Sequence, residues 1–380
     1  PPTAGGHLPT IATSSLLRTS RDSALRSPGI QWQDPDSHSH SRDTRKLNMY
    51  QAVRDAMATA LIKDDTSLVF GEDVAFGGVF RCTLNLAEEF GRERVFNTPL
   101  TEQGIAGFAL GLAAMGHTAI AEIQFSDYIF PAFDQLVNEA AKIRYRTGGA
   151  YDVGRVTLRA PCMSVGHGGL YHSQSPEGFF LGAQGLKVVI PRSPLQAKGL
   201  LLASIRDPNP VIFLEPKILY RSTIEQVPTE DYHLPLSSAE VLIPGDSLTL
   251  LSYGTPLYHC ETALSLLRSP PPELEHLVPP SLRSAKVELI DLRTIVPWDI
   301  ASIVESVNKT RRLVIVHEAP SLGSISSEIA AEVTKRLFLK LEAPVRRVTG
   351  WGTPVPLAWE GLWGPGEVRV LDAVLETLMY

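Results

Sequence analysis

The sequence predicts a two-domain α/β protein built mainly on parallel sheet, and three observations point there. From Tyr50 onward, short apolar runs of strand length alternate with longer segments of helical period. Short apolar strands set between helices suit a sheet covered on both faces. The periodicity then weakens between Ile224 and Asp246, where Pro228, Pro235 and Pro244 fall, and a second α/β unit follows. The expected division is a segment 1–45, a first domain over 46–228, a linker over 229–245 and a smaller second domain over 246–380.

The elements can be taken in order. Residues 51–62 read as an amphipathic helix and 66–70 as a buried strand that runs into Gly71-Glu72-Asp73. A small-residue helix follows Thr101, then a strand over 119–125. Ile129, Phe133, Leu136, Val137 and Ala140 recur at helical spacing, with Pro131 in the first turn and Gly148-Gly149 at the end. Strands are expected at 156–158, 187–190 and 211–214, with a helix over 196–205. In the second domain they are expected at 247–252, 286–291 and 312–317. Thr255-Pro256 predicts an N-cap followed by proline at the first helical position, and residues 299–307 a further helix. The proline-rich stretch 269–280 reads as an exposed, mobile insertion.

Composition narrows the function. A net charge of −6 without a basic cluster argues against nucleic acid as the main partner. The longest apolar stretch, 105–115, is too short to span a bilayer; Gly107 and Gly111 within it predict a close helix–helix contact. Cys82, Cys162 and Cys260 form neither a disulfide framework nor a zinc-ligand pattern, which suits a reducing compartment. The first 45 residues are rich in Ser, Thr, Pro and Arg, with Asp22 the only acid before Asp34 and a short apolar face from Leu16, Leu17 and Leu25. That composition resembles a mitochondrial presequence with a disordered junction; a plain disordered tail is the alternative.

Two segments carry chemistry. Val165-Gly-His-Gly-Gly-Leu-Tyr-His-Ser-Gln-Ser-Pro-Glu177 sets His167 and His172 in a glycine-rich loop. Such a loop approaches a ligand closely, or forms an ordinary turn with two solvated imidazoles. Thr98-Pro-Leu-Thr-Glu-Gln-Gly-Ile105 places Glu102 at the start of a helix, where a carboxylate also complements the helix dipole.

With Glu122-Ile-Gln-Phe-Ser-Asp-Tyr-Ile-Phe130 following in order, the chain from 47 to 380 resembles the β subunits of the thiamine-diphosphate-dependent 2-oxo acid dehydrogenases. Within them it is most similar to the branched-chain group. The stretches Phe70-Gly-Glu-Asp-Val-Ala-Phe-Gly-Gly-Val-Phe-Arg-Cys82, Asp127-Tyr-Ile-Phe-Pro-Ala-Phe-Asp-Gln135, Glu215-Pro-Lys-Ile-Leu-Tyr220 and Ile290-Asp-Leu-Arg-Thr-Ile-Val-Pro-Trp298 carry that resemblance, as does the histidine segment. It implies a transketolase-like pyrimidine-binding domain, a transketolase-type C-terminal domain, and a mitochondrial matrix enzyme. The implied reaction is decarboxylation of branched-chain 2-oxo acids with acyl transfer to a lipoyl group. Pyruvate-using β subunits and a non-catalytic docking subunit are the alternatives.

The resemblance also assigns tasks. Glu102 matches the glutamate bonded to N1′ of the aminopyrimidine, Tyr128 the aromatic ring against it, and Gln124 is a nearby polar candidate. His172 matches the histidine of acyl transfer to the lipoyl arm. The chain has Pro244-Gly-Asp-Ser247 but no Gly-Asp-Gly motif for cofactor diphosphate and Mg2+. Those ligands are therefore expected from a separate α subunit in an α2β2 heterotetramer, which docks on a lipoyl-bearing acyltransferase core. A structural K+ is implied at Gly154, Val156, Thr157, Ser204, Asp207 and Asn209; a simple Asp207-Pro-Asn-Pro210 turn competes with that assignment.

Overall fold

The computed structural model describes residues 11–35 and 42–380. The chain forms two compact units. One holds Leu17–Met163 and Phe179–Leu236; the other holds Ser237–Tyr380, Ser164–Gly178 and the described residues up to Leu16.

The first unit is built on six parallel strands: β1 (Ser67–Gly71), β2 (Val95–Asn97), β3 (Thr118–Glu122), β4 (Val156–Cys162), β5 (Lys187–Val189) and β6 (Val211–Pro216). Their order is β5-β6-β4-β3-β1-β2. Every residue of β3, β4 and β6 is buried, which is why those runs are mostly apolar rather than alternating, with Glu122, Arg159 and Glu215 as buried charges among them. Helices α1 (Met49–Lys63), α2 (Glu102–Ala114) and α3 (Pro194–Arg206) cover the sheet. Asn48 and Gln51 form a reciprocal capping box at the start of α1.

Several expectations change. The helix foreseen from Ile129 breaks into two 3-10 turns, Ser126–Tyr128 and Phe130–Ala132, and a π-helical turn, Gln135–Ala140. Pro131 sits at the start of the second 3-10 turn, where it has no N–H to extend a regular ladder. Gly107 and Gly111 make no tight contact among the described residues: a Cβ at Gly111 would meet nothing within 4 Å. The buried stripe of α2 is Ile105, Ala106, Ala109, Leu110 and Ala113, on another face.

The N-terminal segment is also not a disordered tail where it is described. Ile11, Leu16, Leu17 and Ala24 are buried, and Ser20 and Ser23 cap a short helix, Arg21–Leu25. Its apolar residues are packed, and Gln31–Trp32 pairs with Tyr232–His233. Residues 1–10 and 36–41 of the expected presequence region lie outside the described residues. Residues 229–245, expected as linker, contribute strand Tyr232–His233 and the first strand of the second unit. The Tyr232 hydroxyl donates to the Leu195 carbonyl at 2.8 Å.

That second unit holds β7 (Glu240–Ile243), β8 (Leu248–Ser252), β9 (Val287–Asp291), β10 (Leu313–Pro320) and β11 (Arg346–Gly350), in the order β7-β9-β8-β10-β11. Only β7 is antiparallel. Helices α4 (Pro256–Arg268), α5 (Ile300–Thr310), α6 (Ile325–Leu337) and α7 (Glu367–Leu378) pack on it. Asp299 caps α5 by accepting from the Ser302 N–H at 3.0 Å. Thr255 precedes Pro256 as expected, but its backbone is already helical and its side chain makes no capping bond. Most of the insertion 269–280 is exposed, as expected, while Val278 is buried and Arg283 donates to its carbonyl. No described helix is long and apolar enough to cross a membrane.

His317 on β10 is fully buried, stacks on Tyr253 at 6.0 Å and lies 2.7 Å from the Ser326 hydroxyl. Burial pushes its pKa down from 6.5 to about 4. The folded chain resists the proton that the unfolded chain accepts. This contribution to stability is therefore full above pH 6.5 and is lost as the pH falls toward 4. Going from pH 8 to pH 5 should remove about 2 kcal/mol through this group. His317→Gln should shrink the pH 8-to-5 loss in urea denaturation by that amount; an unchanged loss would remove His317 from the account.

Candidate active site and cation site

The strand order reverses at β1: the chain leaves β1 for β2 on one side and returns to β3 on the other. In parallel α/β sheets such a switch point opens a crevice at the carboxyl ends of the strands. Gly71 ends β1 with φ +155°, and a Cβ there would stand 2.5 Å from the Glu122 carbonyl. The backbones of β1 and β3 can therefore close only on glycine.

Glu72 and Asp73 follow directly. Glu102 opens α2, whose N-cap Thr101 accepts from the Gly104 N–H at 3.3 Å. The Glu72 carboxyl stands beside those of Glu102 and Asp73. Its pKa is raised, first by burial and then by the neighbouring charges of Glu102 and Asp73. Two carboxyls thus meet where β1 ends and α2 begins. Gln124 donates its amide to Asp73 at 3.4 Å. Tyr128 lies one turn further on, partly exposed, with its ring edge-on to Phe125 at 5.7 Å.

The structure thus gathers Glu102 and Gln124 around Glu72-Asp73, with Tyr128 in the turn that follows β3. Glu72 was not among the residues expected from sequence. Its signal was the Gly-Glu-Asp run closing a buried strand.

Behind the crevice lies a buried ionic network. Arg159 of β4 is 1% exposed. It reaches Glu122 of β3 at 2.8 Å and clasps Glu215 of β6 with two bonds, at 2.7 and 2.9 Å. The Tyr220 hydroxyl donates to Glu215 at 2.6 Å. Burial pushes the neighbouring Cys82 thiol well up, and Glu215 adds to the shift, so this cysteine is no nucleophile.

The histidine segment belongs to the other unit. Gly166 and Gly169 take left-handed backbone angles, φ +93° and +63°. His172 closes a 3-10 turn, Gly169–Tyr171, and is partly buried, whereas His167 is exposed. The two histidines are not equivalent.

The expected potassium positions gather at the start of β4 and the end of α3. A Cβ on Gly154 would stand 2.3 Å from the Pro208 carbonyl. The Ser204 carbonyl accepts from Asp207 N–H at 3.2 Å, and the Asp207 carbonyl from Arg155 N–H at 3.0 Å. The Asp207 carboxylate is committed to Lys187 and to Asn209 at 2.9 and 3.0 Å. The Thr157 hydroxyl is fully buried and has no hydrogen-bond partner. A buried hydroxyl without a partner is a neutral, hard-oxygen donor of the kind a large monovalent cation takes. Among the described residues no cluster of three or more His, Cys, Asp or Glu could hold a metal ion.

Residues 45–223 match the transketolase pyrimidine-binding domain, and residues 237–370 the transketolase C-terminal domain. A solved split-gene transketolase, described as an inactive β4 tetramer, shares the fold. Its TM-score is 0.68 at 21% identity, over 88% of this chain and 99% of that one. Fold and crevice together define the class: a transketolase-type chain with a pyrimidine-binding domain followed by a C-terminal domain. Among its relatives, the mitochondrial 2-oxoisovalerate dehydrogenase subunit beta 2 of Arabidopsis thaliana is 55% identical over 90% of this chain and 91% of its own length. The mitochondrial 2-oxoisovalerate dehydrogenase subunit beta of Dictyostelium discoideum is 52% identical over 89% and 88%. The chain belongs to the 2-oxoisovalerate dehydrogenase β-subunit family.

Proposed function

We propose that this chain is the β subunit of a mitochondrial branched-chain 2-oxo acid dehydrogenase. With an α subunit, in an α2β2 heterotetramer, it decarboxylates branched-chain 2-oxo acids and passes the acyl group to the lipoyl arm of an acyltransferase core. The observation that carries this reading is the placement of Glu102 at the start of α2, at the strand ends where Glu72 and Asp73 follow β1, on a chain of this family.

Thiamine diphosphate, when bound, supplies the carbon nucleophile and the electron sink. Glu102 would meet N1′ of its aminopyrimidine, with Glu72 beside it. The Tyr128 ring would pack on the heterocycle, and Gln124 would border it. His172 would donate a proton to the dithiolane sulfur as the acyl group moves to lipoyl. Asp246 and Ser247 are engaged with each other at 3.0 Å in the turn before β8, and the second glycine of a diphosphate motif is absent. The ligands of Mg2+ are therefore assigned to the α subunit.

The test is to purify the chain with a partner carrying Gly-Asp-Gly and to assay 3-methyl-2-oxobutanoate against pyruvate. At least tenfold higher kcat/KM for the branched acid is expected, about 1.4 kcal/mol of transition-state discrimination. A preference for pyruvate would refute the substrate assignment.

Potassium is proposed at Thr157 and the surrounding carbonyls. Replacing KCl by NaCl should lower the Tm of the assembled enzyme by about 2–4 °C. Thr157→Val should erase that difference. A cation effect that survives in the valine variant places the ion elsewhere.

A further inference from the structure

The glycine-rich histidine segment folds around a single carboxylate. Glu360 opens a short helix, Glu360–Trp363, and is 4% exposed. Its Oε1 accepts the N–H groups of Val165 at 2.7 Å and Gly166 at 2.5 Å. Its Oε2 accepts those of Gly168 at 2.9 Å and Gly169 at 3.3 Å, and the Ser173 hydroxyl at 3.4 Å. One residue upstream, the Ser164 N–H is taken by Glu318. No cationic side chain pairs with Glu360 among the described residues. The left-handed angles at Gly166 and Gly169 turn the backbone donors inward, forming an anion-binding nest.

A buried carboxylate is costly unless its oxygens are satisfied, and here four backbone N–H groups and the Ser173 hydroxyl satisfy them. The converse is the functional point. The segment lies outside any strand ladder, and these donors have no backbone acceptor, so the carboxylate supplies the order that a sheet would otherwise provide. The order reaches His172 directly. A Cβ on Gly168 would stand 2.3 Å from the Ser173 hydroxyl and 2.6 Å from the His172 carbonyl. The clamped loop is therefore pressed against the backbone that carries the imidazole.

We infer that Glu360 is a positioning residue for acyl transfer: its carboxylate clamps 165–169 and thereby sets the place of His172. This deepens the reading of His172 given above and rests on it. Both carboxylate oxygens act as acceptors, so an amide cannot substitute. Glu360→Gln would point N–H groups at N–H groups on one side of the nest.

The experiment compares Glu360→Gln, Glu360→Asp and His172→Ala in the assembled αβ enzyme. It reads three quantities: hydrogen exchange at the amides of 165–169, acyl transfer to a free lipoyl domain, and dye-coupled decarboxylation of 3-methyl-2-oxobutanoate. Glu360→Gln should speed exchange at these amides about tenfold or more. It should also depress transfer at least tenfold more than decarboxylation, with Glu360→Asp restoring part of both. Unchanged exchange would overturn the clamp. Faster exchange with transfer and decarboxylation falling in proportion would overturn the positioning role. If His172→Ala itself leaves transfer intact, the His172 reading fails while the exchange data still decide the clamp. Should Glu360→Gln fail to assemble, Glu360→Asp carries the comparison, with partial exchange protection and partial transfer expected.

Discussion

Glu102→Gln should lower decarboxylation by the assembled enzyme at least about a hundredfold, the usual scale for losing a positioned acid–base group. The amide keeps the size of the side chain and its place at the start of α2. It cannot act as the carboxyl that N1′ of the aminopyrimidine would meet. Losing the Glu102 charge also removes the second cause of the raised Glu72 pKa, leaving burial as the main one. The pH profile of any residual activity should therefore shift toward lower pH on its acid limb. His172→Ala should behave differently, losing acyl transfer far more than release of carbon dioxide from the same substrate. Near-normal decarboxylation in Glu102→Gln would mean that another group holds the aminopyrimidine, and the assignment of Glu102 would fall.

Arg159→Met should cost about 3–5 kcal/mol of stability, because it leaves two buried carboxylates without their cation. Glu122 and Glu215 stand on strands flanking β4, so their repulsion would act on three adjacent strands of one sheet. Removal of the cation should raise the Glu122 carboxyl pKa, already raised by burial, further. Raised carboxyl pKa values mean stability present at low pH and lost as pH rises, so the mutant should be least stable at neutral pH and recover on mild acidification. Adding Glu215→Gln to Arg159→Met should recover more than the sum of the single effects allows, the signature of a coupled pair. A loss below about 1 kcal/mol would show that water reaches the network and that it is not a closed ionic core.

The elements legible in sequence were those with a strong period or a complete local signal. Buried strands such as β3, β4 and β6 stand out because both faces are mostly apolar. The helix at Asp299 was legible because a capping carboxylate needs only its own next turn. β7 and β11 were not foreseen. Glu240–Ile243 carries exposed and half-buried residues, and Arg346–Gly350 begins on two arginines, so each is a strand by virtue of its neighbour. The broken helix after β3 defeated periodicity for a related reason: apolar spacing records which residues face inward, not whether the ladder is α, 3-10 or π.

For the site, the sequence by itself determined the chemical types present and their order: a carboxylate at a helix start, an aromatic turn after a buried strand, and two histidines among glycines. Those follow from local composition, which survives in one dimension. Only the tertiary structure decided the partnerships. Glu72 beside Glu102 depends on where β1 and α2 end in space, and the bond from Arg159 to Glu215 depends on β4 and β6 being neighbours although β5 intervenes in the chain. Glu360 lies almost two hundred residues beyond the glycines it clamps. Backbone N–H groups carry no residue code, so no sequence pattern announces their acceptor, and only folding brings the carboxylate to them.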